Sequence, residues 1–152
     1  MYNFELTLLE PGSAQLETLR MVENICDEFE LQDHFGTISM AIHNIVEYFI
    51  NTSNGEFEIM MSFLIEPESL SVIIHSNSSF MELKEDIQSS NENNKQDIYS
   101  SLLLTDVLEF REDDAELYFK FHVKPHIKAF RINAKMLKSI KANSHVDKFS
   151  EL

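Results

Sequence analysis

The spacing of apolar and polar residues changes period several times along the chain, and each change predicts an element. Tyr2–Leu9 alternates weakly through Phe4, Leu6 and Leu8, the pattern of a short strand suited to a sheet edge. Glu10-Pro11-Gly12 breaks it, and Ser13 is placed to cap a helix. Leu16, Leu19, Val22, Ile25, Cys26 and Phe29 follow at three- and four-residue steps, which gathers them on one helical face. A second helix is expected from Asp33, with a wide apolar face of Ile38, Ala41, Ile42, Ile45, Val46, Phe49 and Ile50, ending at Asn54-Gly55.

After Gly55 the period becomes two. Phe57, Ile59, Met61, Phe63 and Ile65 fall on one side of a strand, and Pro67-Glu68-Ser69 turns the chain into a second strand, Leu70–His75. These two strands predict an antiparallel hairpin. Residues 76–97 lose apolar density, the composition of an exposed loop, with a short helix over Phe80–Ile87. Helical spacing returns over Ile98–Leu108. Glu109-Phe110-Arg111 then begins a strand that turns at Glu112-Asp113-Asp114 into Leu117, Phe119, Phe121 and Val123. Beyond Pro125, Ile127, Phe130, Ala134, Leu137 and Ile140 alternate with Lys128, Arg131, Lys135 and Lys138, which predicts an amphipathic helix that frays by Asn143.

The sum is an α+β fold, a two-layer α/β sandwich with a mostly antiparallel sheet and helices on one face. It divides into a domain over 1–124 and a basic tail over 125–152 docked on it. The length of 152 residues suits one domain, and 43% hydrophobic residues with only 3 Gly and 3 Pro supply an ordinary core. The single cysteine, Cys26, allows no internal disulfide, the N-terminus shows no basic segment ahead of an apolar stretch, and no apolar run reaches a membrane-spanning length. A cytoplasmic location is expected.

Charge sharpens this picture. Residues 1–119 hold 24 Asp and Glu against 4 Lys and Arg, whereas residues 120–152 hold 8 Lys and Arg against Asp147 and Glu151. An acidic body repels phosphate at range, so neither nucleic acid nor an anionic membrane is the expected partner. The acidic body itself is the nearest complement to the basic tail.

Chemical motifs are scarce. His122 and His126 are four apart, but Pro125 stands between them and the preceding residues alternate as a strand, so no metal site is expected. Cys26 lies on an apolar helix face in an acidic stretch, a poor setting for a nucleophile. The chain has no Gly-x-x-x-x-Gly-Lys-Ser/Thr loop and no Gly-x-Ser-x-Gly elbow.

The element order, together with two stretches, resembles the Bergerat-fold (GHKL) ATPases, in particular the anti-sigma-factor serine kinases of bacterial partner switching. FGTISMAIHNIVEYFIN, Phe35–Asn51, is similar to the family's long helix with its Glu-x-x-x-Asn, and SLLLTDVLEF, Ser101–Phe110, to its late helix and the turn into a strand. The resemblance implies a nucleotide pocket at Asn44, Glu47, Tyr48, Ser76 and Ser78. It also exposes departures. Asn44 stands where the family's general-base Glu belongs, and Tyr48 where its Mg²⁺-binding Asn belongs. Ser76 and Ser78 replace the adenine-reading Asp and the following Gly, and Gln88–Ser101 contains no Gly. Asn44 cannot take a proton, a phenol is a poor ligand for a hard cation, and without glycines the backbone cannot approach phosphates closely.

The expected function is therefore that of a non-catalytic regulatory module, a pseudo-ATPase with no cofactor. By resemblance its partner is a protein of the sigma-factor, antagonist or kinase type, and the family analogy also accommodates a homodimer. Two alternatives stand beside it: a divergent ATP/Mg-dependent serine kinase with Glu47 as base and Asn44 as metal ligand, and an unrelated α+β interaction domain.

Overall fold

The computed structural model describes residues 1–52, 57–76, 84–85, 103–111, 115–127 and 149–151. Its elements are β1 (Tyr2–Leu8), α1 (Pro11–Glu28), a 3-10 turn (Gln32–His34), α2 (Phe35–Thr52), β2 (Ile59–Glu66), β3 (Ser69–Ser76), β4 (Val107–Arg111), β5 (Glu116–Phe121) and β6 (Phe149–Glu151). The expected Asn54-Gly55 helix end, most of the expected loop 76–97, residues 98–102 of the expected third helix, the expected 112–114 turn and residues 128–148 of the expected tail helix and its end lie outside the described residues.

Strict alternation builds the sheet. The order is β4-β5-β3-β2-β1-β6, and every neighbouring pair is antiparallel. Directly opposite residues share a face, so the register aligns apolar side chains in rows across the strands. One row runs Phe110, Leu117, Ile74, Met61, Leu6, and the next Leu108, Phe119, Val72, Phe63, Phe4. These rows belong to one core with Ile38, Ile42, Ile45, Val46 and Phe49 of α2 and Met21, Val22 and Ile25 of α1. The opposite face is mostly polar, with the His75 Nε2–Glu116 Oε1 pair at 2.8 Å, the Arg111 guanidinium 3.8 Å from the Tyr118 ring centre and the Ser71 Oγ–Tyr118 Oη hydrogen bond at 3.2 Å. The result is the two-layer α+β sandwich, with helices over one face.

Helix ends follow local chemistry. Pro11, with φ already fixed near the helical value, takes the first turn of α1, and Glu10 rather than Ser13 occupies the N-cap. The Ser13 hydroxyl instead donates to a Glu17 carboxylate oxygen at 3.3 Å. At the other end Glu30 adopts φ 56, and the Leu31 N–H donates to the Cys26 carbonyl at 2.7 Å, a Schellman closure without its usual glycine.

Four expectations change. Leu16 and Leu19 were expected inward, yet they are 51% and 39% exposed, and Ala14, Thr18 and Met21 take the buried places beside Val22, Ile25 and Cys26. Small residues allow close approach, and the Thr18 hydroxyl satisfies itself by donating to the Ala14 carbonyl at 2.7 Å. Second, Leu103–Asp106 is turn and bend, and β4 already begins at Val107, so the late helix does not extend to Leu108. Asp106 fixes that turn: one carboxylate oxygen accepts the His122 N–H at 2.6 Å and its own N–H donates to the Lys120 carbonyl at 2.8 Å. Third, β5 stops at Phe121 instead of running through Val123, and residues 125–127 are not helical, although Val123 is buried, Ile127 packs on the core and the His126 N–H donates to the Phe29 carbonyl at 2.8 Å. Fourth, a short strand forms beyond the expected tail helix, whose fraying from Asn143 lies outside the described residues. Phe149–Glu151 pairs with Tyr2–Phe4, so the first half of β1 is interior to the sheet and not its edge.

Candidate functional site

α2 carries three of the five residues that the resemblance implicates, and it presents them to different surroundings. Asn44, Glu47 and Tyr48 follow one another around the side of the helix away from the sheet-facing stripe of Ile38, Ile42, Ile45 and Phe49. Tyr48 nonetheless turns inward and is only 7% exposed. Its ring meets Phe49 edge to face at 5.3 Å between centres, which makes it a core aromatic. Asn44 is half-buried. Glu47 is exposed, and its carboxylate accepts the Gln15 side-chain N–H from α1 at 3.0 Å, so it belongs to the surface between the helices.

Ser76 closes β3, paired with Ile59 at the start of β2, and is partly buried. Ser78 lies outside the described residues. Of the five, the structure brings together Asn44 and Tyr48, one helical turn apart on one flank of α2, while Glu47 is turned toward α1. The rearranged pair, Glu47 as base with Asn44 as metal ligand, stands three positions apart on α2, Asn44 half-buried and Glu47 exposed and bonded to Gln15. Among the described residues no group of three or more His, Cys, Asp or Glu side chains is placed to hold a metal ion.

Sequence reasoning missed a different feature. Gln15 Nε2, near the start of α1, donates to the His43 carbonyl at 3.0 Å as well as to Glu47, which ties it to the second half of α2. The two helices therefore run antiparallel, and a groove of about 300 Å³ opens between them. Leu16, Leu19, Val22 and Ile42 give it apolar walls, and Gln15, Ser39 and His43 a polar rim. Its signal in the sequence was the excess of apolar positions on α1: Leu16, Leu19, Val22, Ile25 and Cys26 at helical steps, more than one sheet-facing stripe needs.

A second, shallower cleft of about 710 Å³ lies at the β2–β3 turn, between Glu66 and Glu68 on one side and Lys120, His122 and Lys124 on the other. Acid and base are mixed there, so it presents no single charge to a ligand. Cys26 is buried, and burial pushes its thiol up to about 11, so it stays a protonated thiol at neutral pH, the weakly nucleophilic form. No helix of the described residues is long and apolar enough to cross a membrane. Comparison of the sequence with protein-family models and with curated proteins finds no match to either.

Proposed function

We propose that this chain is a non-catalytic regulatory module of the cytoplasm that acts by binding another protein, a relative of the Bergerat-fold serine kinases that has lost nucleotide chemistry. The observation that carries the reading is Tyr48. At the position where the family holds Mg²⁺, the side chain is a buried aromatic packed on Phe49, and a ligand to a hydrated cation has to face the cation instead. Glu47, the one carboxylate on this part of α2, is engaged by Gln15 on the helical surface. With no base beside a phosphate site, what α1 and α2 offer is surface for a partner, and by resemblance a sigma factor, an antagonist or a kinase-type domain is the kind of protein it would meet.

Melting with and without millimolar Mg·ATP tests this. A ligand bound only by the native state at ~100 times its dissociation constant adds ~2.7 kcal/mol, a rise of roughly 5–11 °C for a chain of this size. The expected result is an unchanged midpoint. A rise of that order would overturn the loss of nucleotide binding.

A further inference from the structure

The helical layer has an unusual charge. From Glu10 to Thr52 the chain holds eight Asp and Glu residues and one basic residue, Arg20, and Glu10, Glu23, Asp27, Glu30, Asp33 and Glu47 are all exposed. The groove between α1 and α2 is set into this layer. Its walls are Leu16, Leu19 and Val22 of α1 and Ser39, Ile42 and His43 of α2, with exposed Glu23 next to Val22 on α1, exposed Met40 next to Ser39 on α2, and exposed Glu47 bonded to the lining residue Gln15. The helices run antiparallel, so Glu23 and Glu47 fall at opposite ends of the groove. Leu16, Leu19 and Met40 are 51%, 39% and 57% exposed, a cost in water that a partner's apolar side chains would remove.

Resting on the protein-binding function above, we propose that this groove receives an amphipathic helix from a partner protein, with about two turns of apolar side chains between basic residues. Helices dock into grooves of this kind through anchors at i, i+3, i+4 and i+7. The lining on α1 runs seven residues from Gln15 to Val22, about 10 Å along the axis, so the groove spans about two turns of the incoming helix. The apolar walls supply the affinity. The carboxylates at the two ends and the one-signed layer around them select a basic helix and reject an acidic one. A second copy of the same helical layer would meet like charge, which disfavours self-association through this face.

The test uses the full chain and two labelled peptides of about 18 residues with one hydrophobic pattern, Leu/Lys and Leu/Glu, followed by fluorescence anisotropy. The Leu/Lys peptide is expected to bind and the Leu/Glu peptide to stay free. The double substitution Leu16→Ser, Leu19→Ser removes exposed side chains, so melting should confirm that it folds, and it should weaken the Leu/Lys peptide by about tenfold or more. Glu23→Gln with Glu47→Gln should weaken the peptide and flatten its salt dependence. Equal binding of both peptides, no binding of either, or undiminished Leu/Lys binding to the folded Leu→Ser variant overturns the proposal. So does displacement of the bound Leu/Lys peptide by a peptide of residues 124–141, which would make the chain's own basic segment the natural occupant. None of these results bears on the Mg·ATP melt, so the two readings fail separately.

Discussion

Phe49→Ala probes the contact between the two layers most directly. Phe49 is 4% exposed, stands on the sheet-facing stripe of α2 with Ile42, Ile45 and Val46, and belongs to the same core as Phe63 and Phe4. A buried phenyl ring removes roughly 150–200 Å² from water, and at ~25 cal/mol per Å² that amounts to ~4–5 kcal/mol, less the share that the Ala Cβ retains. The void left behind adds a cavity cost, because helix and sheet are held in place by Ile38, Ile45 and the strand rows and cannot collapse fully. Measured large-to-small changes of this type cost ~3–5 kcal/mol. The ring also loses its edge-to-face contact with Tyr48. Urea unfolding followed by circular dichroism should show the midpoint falling with an unchanged slope. The loss is a large fraction of a total stability of ~5–15 kcal/mol, and Phe49→Leu, with a smaller void, should fall between it and the parent. A loss below about 1 kcal/mol would place Phe49 at the surface and overturn the layering.

Two further outcomes follow from local geometry. Glu30→Gly should stabilise by up to about 1 kcal/mol, since φ 56 costs an L-residue what glycine does not lose, whereas Glu30→Val should destabilise; thermal melts separate the two signs. Cys26 should resist alkylation at pH 8 in the folded chain and react once unfolded. Because the folded thiol is raised from its ordinary 9.0 to about 11, its contribution is complete below the unfolded value and declines as pH rises toward 11, at about 1.4 kcal/mol per pH unit within that window. A Cys26→Ala variant should lose that part of the alkaline slope, and an identical slope would refute the assignment.

Much of the fold was legible because period and burial agree. Phe57 to Ile65 at every second position, and Ile38 to Phe49 at three- and four-residue steps, each place one face inward, and the Pro67-Glu68 turn fixes the hairpin register. α1 was harder. Its stripe of Leu16, Leu19 and Val22 looks like a core face by hydrophobicity alone, but packing selected Ala14 and Thr18, whose small size brings helix and sheet together. The run through Leu103 and Val107 misled for a related reason: helical spacing is a weak signal over a few residues, and the Asp106 hydrogen bonds that impose the turn join partners 14 and 16 residues away. The pairing of Phe149–Glu151 with β1 was invisible, since three residues carry no period. At the candidate site the resemblance sets Asn44 and Tyr48 where the family has Glu and Asn, while only the packing revealed that Tyr48 is a core aromatic and that Glu47 is bonded to Gln15.

The strand order also sets the timing of folding. β2 and β3 are joined by the two residues Pro67 and Glu68, and α1 and α2 by a short connection, so both pairs close small loops and can form early. β1 is different. Even its nearest partners in sequence, Leu8 and Ile59, are 51 positions apart, and β5 reaches β3 across more than 40. The chain must therefore close a loop of about 50 residues, a third of its length, before the first strand finds its seat on β2, a non-local pairing that slows the approach to the native state. Until then Phe4 and Leu6 stay in water beside a β2 whose outer edge is bare, and the nascent chain is at its most vulnerable to pairing with a neighbour during that interval.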